Sequence, residues 1–394
     1  MGDSIESSNL IKIPVSKLKL GMFVEAIDKD KSLVNIANAG QIRSAEAILR
    51  LHKSNVSHVW VNGERSLPEL GLGKVVSAPK PVARKVSVER ATTQKQAKEL
   101  IVEAKDLIQK VLSETFEGKA VEVEPFEALA DNLIESVMLD ADALKCVSAL
   151  RSKDAYLLEH SINVAFLLIT FGRYLKFDTD MLRQMAIGGI LHDIGKIKVD
   201  SEILNKPSKL TPEEFEHVKL HQTYAVEIMG QTKGLSQISQ DISLMHHEKL
   251  DGNGYPLGLK GDEIPTHGRM SCIVDIFDAL TATRCYKEAM SPAAAFKILL
   301  SLTPHHLDQQ LVYEFIRCIG VYPVGSLVQL SDGRIGIVWE AKGRNALNPK
   351  VKCFYSVKHK CYTKVEIIDL LRSSLNIEKG ISPSSLEIDP TPFY

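Results

Sequence analysis

Between positions 185 and 204 the chain reads MAIGGILHDIGKIKVDSEIL. An apolar run there is interrupted by His192-Asp193 and then by Gly195-Lys196. His160 lies upstream in LLEHSINVAFLL, and His221 closes EHVKLH. His246 and His247 open HHEKLDGNGYP, and Asp275 and Asp278 punctuate MSCIVDIFDALTATR. Five of the twelve histidines thus stand, with three aspartates, in or beside apolar stretches of helical character. Unpaired polar groups in such places are costly, so each requires a partner. A divalent metal is a partner that imidazole and carboxylate serve together, and the donor mix suits Fe, Mn or Zn. No cysteine lies among these residues, which argues against a structural zinc site. One four-ligand site would leave several of these donors unused. Two ions bridged by one carboxylate account for them better. Such a pair, roughly 3.5–4 Å apart, clamps the entering and leaving oxygens of a phosphoryl transfer.

The elements that must hold these residues are helical. From about residue 126 to about 320 the apolar spacing is almost wholly that of helices. LTPEEFEHVKLH carries a start signal, with Thr211 as N-cap, Pro212 at the first helical position and Glu214 completing a capping box. Upstream, residues 92–112 place Ala97, Leu100, Ile101, Ala104, Leu107, Ile108 and Val111 on one stripe. That stripe is expected either to dock on the catalytic helices or to pair with its twin in a homodimer. Residues 1–76 read as a small α+β domain, with strands around Gly21, a helix whose inner face carries Ala45, Ile48, Leu49 and His52, and a strand at 56–61. Residues 77–125 then hold a linker and the striped helix. Beyond Pro323 the period changes. SLVQLSDGRIGIVWE reads as a hairpin turning at Asp332-Gly333, KVKCFYSV and YTKVEII add strands, and the tail after Ile381 is expected to be loose. The fold class expected is therefore mainly α, with a small β appendage over 321–394.

With 394 residues the chain can build two to three domains. A formal net charge of −1 predicts no general attraction to a nucleic acid polymer or an anionic membrane. The six cysteines form no C-x-x-C pair and suit a reducing compartment. MGDSIESSNL lacks the apolar core of a signal peptide, and the longest apolar run, 164–169, is too short to span a bilayer. A cytoplasmic location and no membrane insertion are expected.

LHDIGK at 191–196 and HHEKLDGNGYP at 246–256 resemble the signatures of the HD-GYP family. These are cyclic di-GMP phosphodiesterases within the HD superfamily of metal-dependent phosphohydrolases. The resemblance covers about residues 148–320, and the N-terminal unit resembles the domain of unknown function that often precedes HD-GYP in bacterial proteins. It implies a helical HD-type catalytic domain over 126–320, with the N-terminal domain regulatory. One metal would be held by His160, His192, Asp193 and Asp275, and the other by Asp193, His221, His246 and His247, with Asp193 bridging. Lys196 would reach the scissile phosphate, so Asp193 and Lys196 are the implied catalytic pair. Gly254, Tyr255 and Pro256 would form a lip loop against the substrate, with Tyr255 stacking on guanine or bonding the phosphate side. Arg284 and Lys287 stand at the spacing of further phosphate and base contacts. A signalling partner would meet the same loop.

Some relatives in this family hold a third metal through a glutamate one turn before the first histidine. Here Tyr156 occupies that position, and Glu159 would point about 100° away from His160. Two divalent ions per chain are therefore expected, Fe or Mn before Zn, Ni or Mg. Asp278 is expected to support a ligand or to make a helix-packing hydrogen bond rather than to bind metal itself, His217 to lie on the surface, and Glu248 to be either a general acid or a solvated loop charge. The expected reaction is hydrolysis of cyclic di-GMP to linear pGpG, or on to GMP, in bacterial signalling. The alternatives are hybrid cyclic GMP-AMP as substrate, another HD-superfamily nucleotide phosphohydrolase, or a receptor that binds a cyclic dinucleotide without cutting it.

Overall fold

The computed structural model describes residues 10–29, 32–42, 44–53, 56, 58–62, 66, 84–148, 156–206, 208–282, 289–341, 348–382 and 388–394. The chain divides into two compact units, Met1–Arg84 and Lys85–Tyr394.

In the first unit, strands β1 (Leu10–Pro14), β2 (Phe23–Lys29), β3 (Ser32–Gln41) and β4 (His58–Asn62) form an antiparallel sheet in the order β1-β4-β2-β3, with α1 (Ala45–Lys53) packed on it. Val59 and Val61 alternate inward on β4 and meet Val15, Val24 and Val56. The inner face of α1 differs by one step from the sequence reading. Ala47, Ile48 and Leu51 pack on the core, and Leu49 is exposed. A nine-residue helix with few apolar residues can be rotated by one position at little cost, so the sheet decides its facing.

The second unit begins with α2 (Arg84–Phe116) and continues through α3 (Glu124–Ser148), α4 (Tyr156–Tyr174), α5 (Thr179–Leu191), the short α6 (Ser201–Leu204), α7 (Pro212–Gly230), α8 (Gln237–Met245), α9 (Thr266–Thr281), α10 (Pro292–Ser301) and α11 (Gln309–Ile319). The fold is mainly helical, as expected. Helices α4, α5, α8 and α9 pack together, and the capping box at Thr211 and Glu214 starts α7 with both reciprocal bonds formed, at 3.2 and 2.7 Å. The stripe on α2 is buried within the chain. Ala97, Ala104, Ile108 and Val111 join the same core as Phe126, Leu133 and Ile162, which removes this face from any pairing between copies.

Five strands close the chain: β5 (Leu327–Leu330), β6 (Arg334–Glu340), β7 (Lys350–Ser356), β8 (Cys361–Asp369) and β9 (Ile377–Ile381), in the order β8-β7-β6-β5-β9. Gly333 turns the expected hairpin with φ +83. The end of the tail is not loose. Phe393 stacks on Phe354 at 4.2 Å, and the Tyr394 hydroxyl donates to the Gly325 carbonyl at 2.9 Å. Two terminal aromatics offer enough apolar area to offset the ordering cost. No helix among the described residues is long and apolar enough to cross a membrane.

Candidate metal centre

Three of the histidines are aimed by their own helices. His192 and His246 stand at the ends of α5 and α8. A helix end leaves its last carbonyls unpaired. The Nδ1–H of His192 donates to the Gly189 carbonyl and that of His246 to the Ser243 carbonyl, each at 2.7 Å. His221, inside α7, makes the same bond to Val218 at 2.7 Å. In each ring the Nδ1 proton is thereby committed, and Nε2 is left as a lone pair. His160 is fixed differently, with its Nδ1 2.8 Å from Asp278 Oδ2, a carboxylate 118 residues away in sequence. Asp278 thus holds the His160 ring, in the way carboxylates orient metal-binding imidazoles.

The free ends of these rings converge on two aspartates. His160 Nε2 is 3.1 Å from Asp275 Oδ1 and 3.2 Å from His192 Nε2. Asp193 stands between two sets of rings. Its Oδ2 is 3.3 and 3.6 Å from His192 and His160 Nε2, and its Oδ1 is 3.7 and 3.8 Å from His221 and His246 Nε2. Three ligand sets meet metal-binding spacing: His160 with His192 and Asp275, His221 with His246 and His247, and His192 with Asp193 and His246. Lone pairs brought this close repel unless a cation lies among them. The buried Asp193 Oδ1 also has no hydrogen-bond partner among the described residues. The donor set therefore fits divalent metal.

Charge within the cluster is balanced by a proton on His160 and by Lys196. Burial opposes the charged form of His160, but hydrogen bonds to Asp275 and Asp278 outweigh it and lift its pKa to about 9. Burial likewise opposes ionisation of Asp193. The Lys196 ammonium, 2.5 Å from Oδ2, and the neighbouring His192 ring outweigh it and hold the carboxyl well below its usual range. Burial dominates at His246 and His247, keeping both neutral, with His247 lowered to about 3.

Gly195 of the LHDIGK stretch is required by contact. A Cβ there would lie 1.8 Å from the His221 carbonyl, so only glycine lets this turn rest on α7. In the lip loop, Gly252 takes φ +80, whereas Gly254 is needed for close approach, its Cβ position being 2.4 Å from Glu248 Cα. The Tyr255 ring stacks on His247 at 4.6 Å, with the Lys219 ammonium 5.4 Å from its centroid. One face of Tyr255 is thus occupied by protein. Pro256 follows Tyr255 through a cis peptide bond.

Glu248 fits neither sequence reading. It is buried, and its carboxylate accepts the backbone N–H groups of Leu257 at 2.7 Å, Gly258 at 3.1 Å and Leu259 at 3.0 Å. Its role is to lace the loop that carries Tyr255. Glu248→Ala is expected to speed hydrogen exchange of those three amides by at least about tenfold, since each loses a charged acceptor. Glu248→Gln should retain most of the protection. Unchanged exchange in the alanine variant would mean that something else holds the loop.

His217 is half-buried, not on the open surface, and joins none of the ligand sets. Glu159 turns away from the centre to an ion pair with Lys105 of α2 at 2.6 Å. Arg284 and Lys287 lie outside the described residues, as does the Tyr156 side chain. Gln222, wholly buried beside His221, carried no sequence signal because glutamine is an uncommon ligand and a common helix residue.

Residues 145–311 match the HD domain, and residues 10–126 match a domain of unknown function, DUF3391. The cyclic di-GMP phosphodiesterase PA4108 of Pseudomonas aeruginosa is 32% identical over 374 residues, 92% of this chain and 90% of that protein. The 3'3'-cGAMP-specific phosphodiesterase 2 of Vibrio cholerae is 42% identical over 136 residues, 34% of this chain and 26% of that protein. Among solved structures, the HDG"Y"P protein from Bdellovibrio bacteriovorus covers 78% of this chain and 98% of its own, at 18% identity and a TM-score of 0.43.

Proposed function

Because this chain belongs to the family of HD-domain cyclic di-GMP phosphodiesterases that carry an N-terminal DUF3391 domain, we propose that it hydrolyses a phosphodiester bond of cyclic di-GMP to give linear pGpG. The observation that carries this reading is the position of Asp193, whose two oxygens face separate sets of imidazoles. We assign His160, His192, Asp193 and Asp275 to one ion and Asp193, His221, His246 and His247 to a second, with Fe or Mn as the metals the donors favour. Bound there, the ions supply Lewis acidity, polarising the phosphoryl oxygen and lowering the pKa of water from about 15.7 toward 7.

The protein's own groups do the rest. Asp278 holds the His160 ring, and the Gly189, Val218 and Ser243 carbonyls hold three others, so the ligands need not reorganise when metal arrives. The Lys196 ammonium turns from Asp193 to the scissile phosphate and stabilises charge that develops there. Tyr255, braced by His247, positions the substrate from the loop, and Arg284 and Lys287 are assigned to phosphate and base contacts. The regulatory role of the N-terminal unit and a signalling partner at the loop belong to the same reading, whereas the burial of the α2 stripe leaves the expected homodimer without its seam.

A hydrolysis assay on full-length, Mn- or Fe-loaded protein tests it, with cyclic di-GMP and 3'3'-cGAMP side by side. The second substrate is included because the stretch shared with the Vibrio enzyme is 42% identical. Release of pGpG from cyclic di-GMP is expected. Faster cutting of 3'3'-cGAMP would change the substrate, and tight binding with no cutting would make the protein a receptor.

A further inference from the structure

Gln222 is wholly buried on α7, directly after the ligand histidine. Its side-chain Nε2 is 2.9 Å from His221 Nε2 and 3.4 Å from His246 Nε2. Both ring atoms are lone-pair acceptors, because their Nδ1 protons go to the Val218 and Ser243 carbonyls. The same two atoms face Asp193 Oδ1 at 3.7 and 3.8 Å. The two imidazole nitrogens thus face both a carboxylate oxygen and one end of the Gln222 amide. The other end of that amide, Oε1, is buried and has no hydrogen-bond partner among the described residues.

The two ends of an amide have the same shape and exchange by a half-turn of the last side-chain bond. With no cation present, the NH2 end faces inward, because it can donate to both rings. A metal ion held by the two rings takes up both lone pairs. The NH2 group then has nothing to donate to and sets its positive end against a cation. The oxygen end has the opposite preference. The spacing also suits a shared coordination sphere: ligand atoms about 2.1 Å from one ion lie roughly 3.0 Å apart at a right angle and roughly 3.4 Å apart at a tetrahedral angle. We propose that Gln222 is a ligand of the metal centre, its side-chain oxygen coordinating the ion held by His221, His246, His247 and Asp193. A neutral oxygen at that position raises the coordination number without adding charge, which favours Mn or Fe over tetrahedral zinc. This proposal rests on the two-ion reading of the site.

The test uses full-length protein stripped of metal and titrated with Mn(II) alone, followed by calorimetry and electron paramagnetic resonance. Wild type is expected to bind two ions. Gln222→Leu, close in volume, should weaken one of them on the order of 100-fold and leave the other unchanged. Gln222→Glu places an anionic oxygen at the same point and should tighten that ion by at least about tenfold. Unchanged affinity for both ions in the folded leucine variant would overturn the proposal. If circular dichroism shows that variant unfolded, the glutamate variant decides, and wild-type affinity there overturns it. Failure of the underlying reading looks different: wild type itself would bind no Mn(II), or would bind it without hydrolysing cyclic di-GMP. In the second case, an altered Mn(II) affinity in the variants would still support Gln222 as a ligand.

Discussion

Asp193→Ala is expected to bring cyclic di-GMP hydrolysis to background and to strip the protein of both ions. Each Asp193 oxygen faces a different group of imidazoles, so no other side chain can take over the link between them. Its loss removes negative charge from a buried cluster of rings and leaves Lys196 without its carboxylate partner. The effect should far exceed the roughly 10–100-fold cost of losing a residue that only supports a ligand. His217→Ala, one turn before His221 and outside the ligand sets, should retain nearly full activity. Elemental analysis of anaerobically purified variants, together with pGpG release, checks both. An alanine variant that kept two ions, or a larger loss from His217→Ala, would show the ligand assignment to be wrong.

Lys196→Ala is expected to separate metal binding from turnover. The ammonium lies 2.5 Å from Asp193 Oδ2, where it acts as counter-charge to a buried carboxylate. An incoming cation competes for that oxygen. Removing the ammonium should therefore leave metal affinity unchanged or raise it. If the same group turns to the phosphate in the reaction, as proposed, its loss should lower kcat on the order of 10²–10³, as for one preorganised donor to a developing oxyanion. Metal content and kcat measured on the same preparation decide the matter. If metal is lost along with rate, Lys196 holds Asp193 in place and has no direct part at the phosphate.

Much of the candidate site was legible because its signals are local. The candidate ligands fall at helix ends or on helix faces whose apolar spacing is plain, and the LHDIGK and HHEKLDGNGYP runs bring several of them into short stretches. The capping box at Thr211, the hairpin at Asp332-Gly333 and the mainly helical class are likewise written within a few neighbouring residues. Such features depend on backbone bonds and side chains three or four positions apart, so a single sequence carries them.

Other features depended on which segments come to lie against one another. The Asp278 partner of His160 is 118 residues away, and only the packing of α4 on α9 brings them to 2.8 Å. Whether the α2 stripe met its own chain or a second copy was undecided in the sequence, since either burial uses the same apolar spacing. Glu248 reads as a loop charge until three backbone N–H groups are seen around it. Gln222 became a candidate ligand only when α7 and α8 set two ring nitrogens at its amide. The kinds of donor and the helices that bear them follow from local residue order. Tertiary structure decided which donors share a point, because that depends on packing between distant segments and not on any local bond.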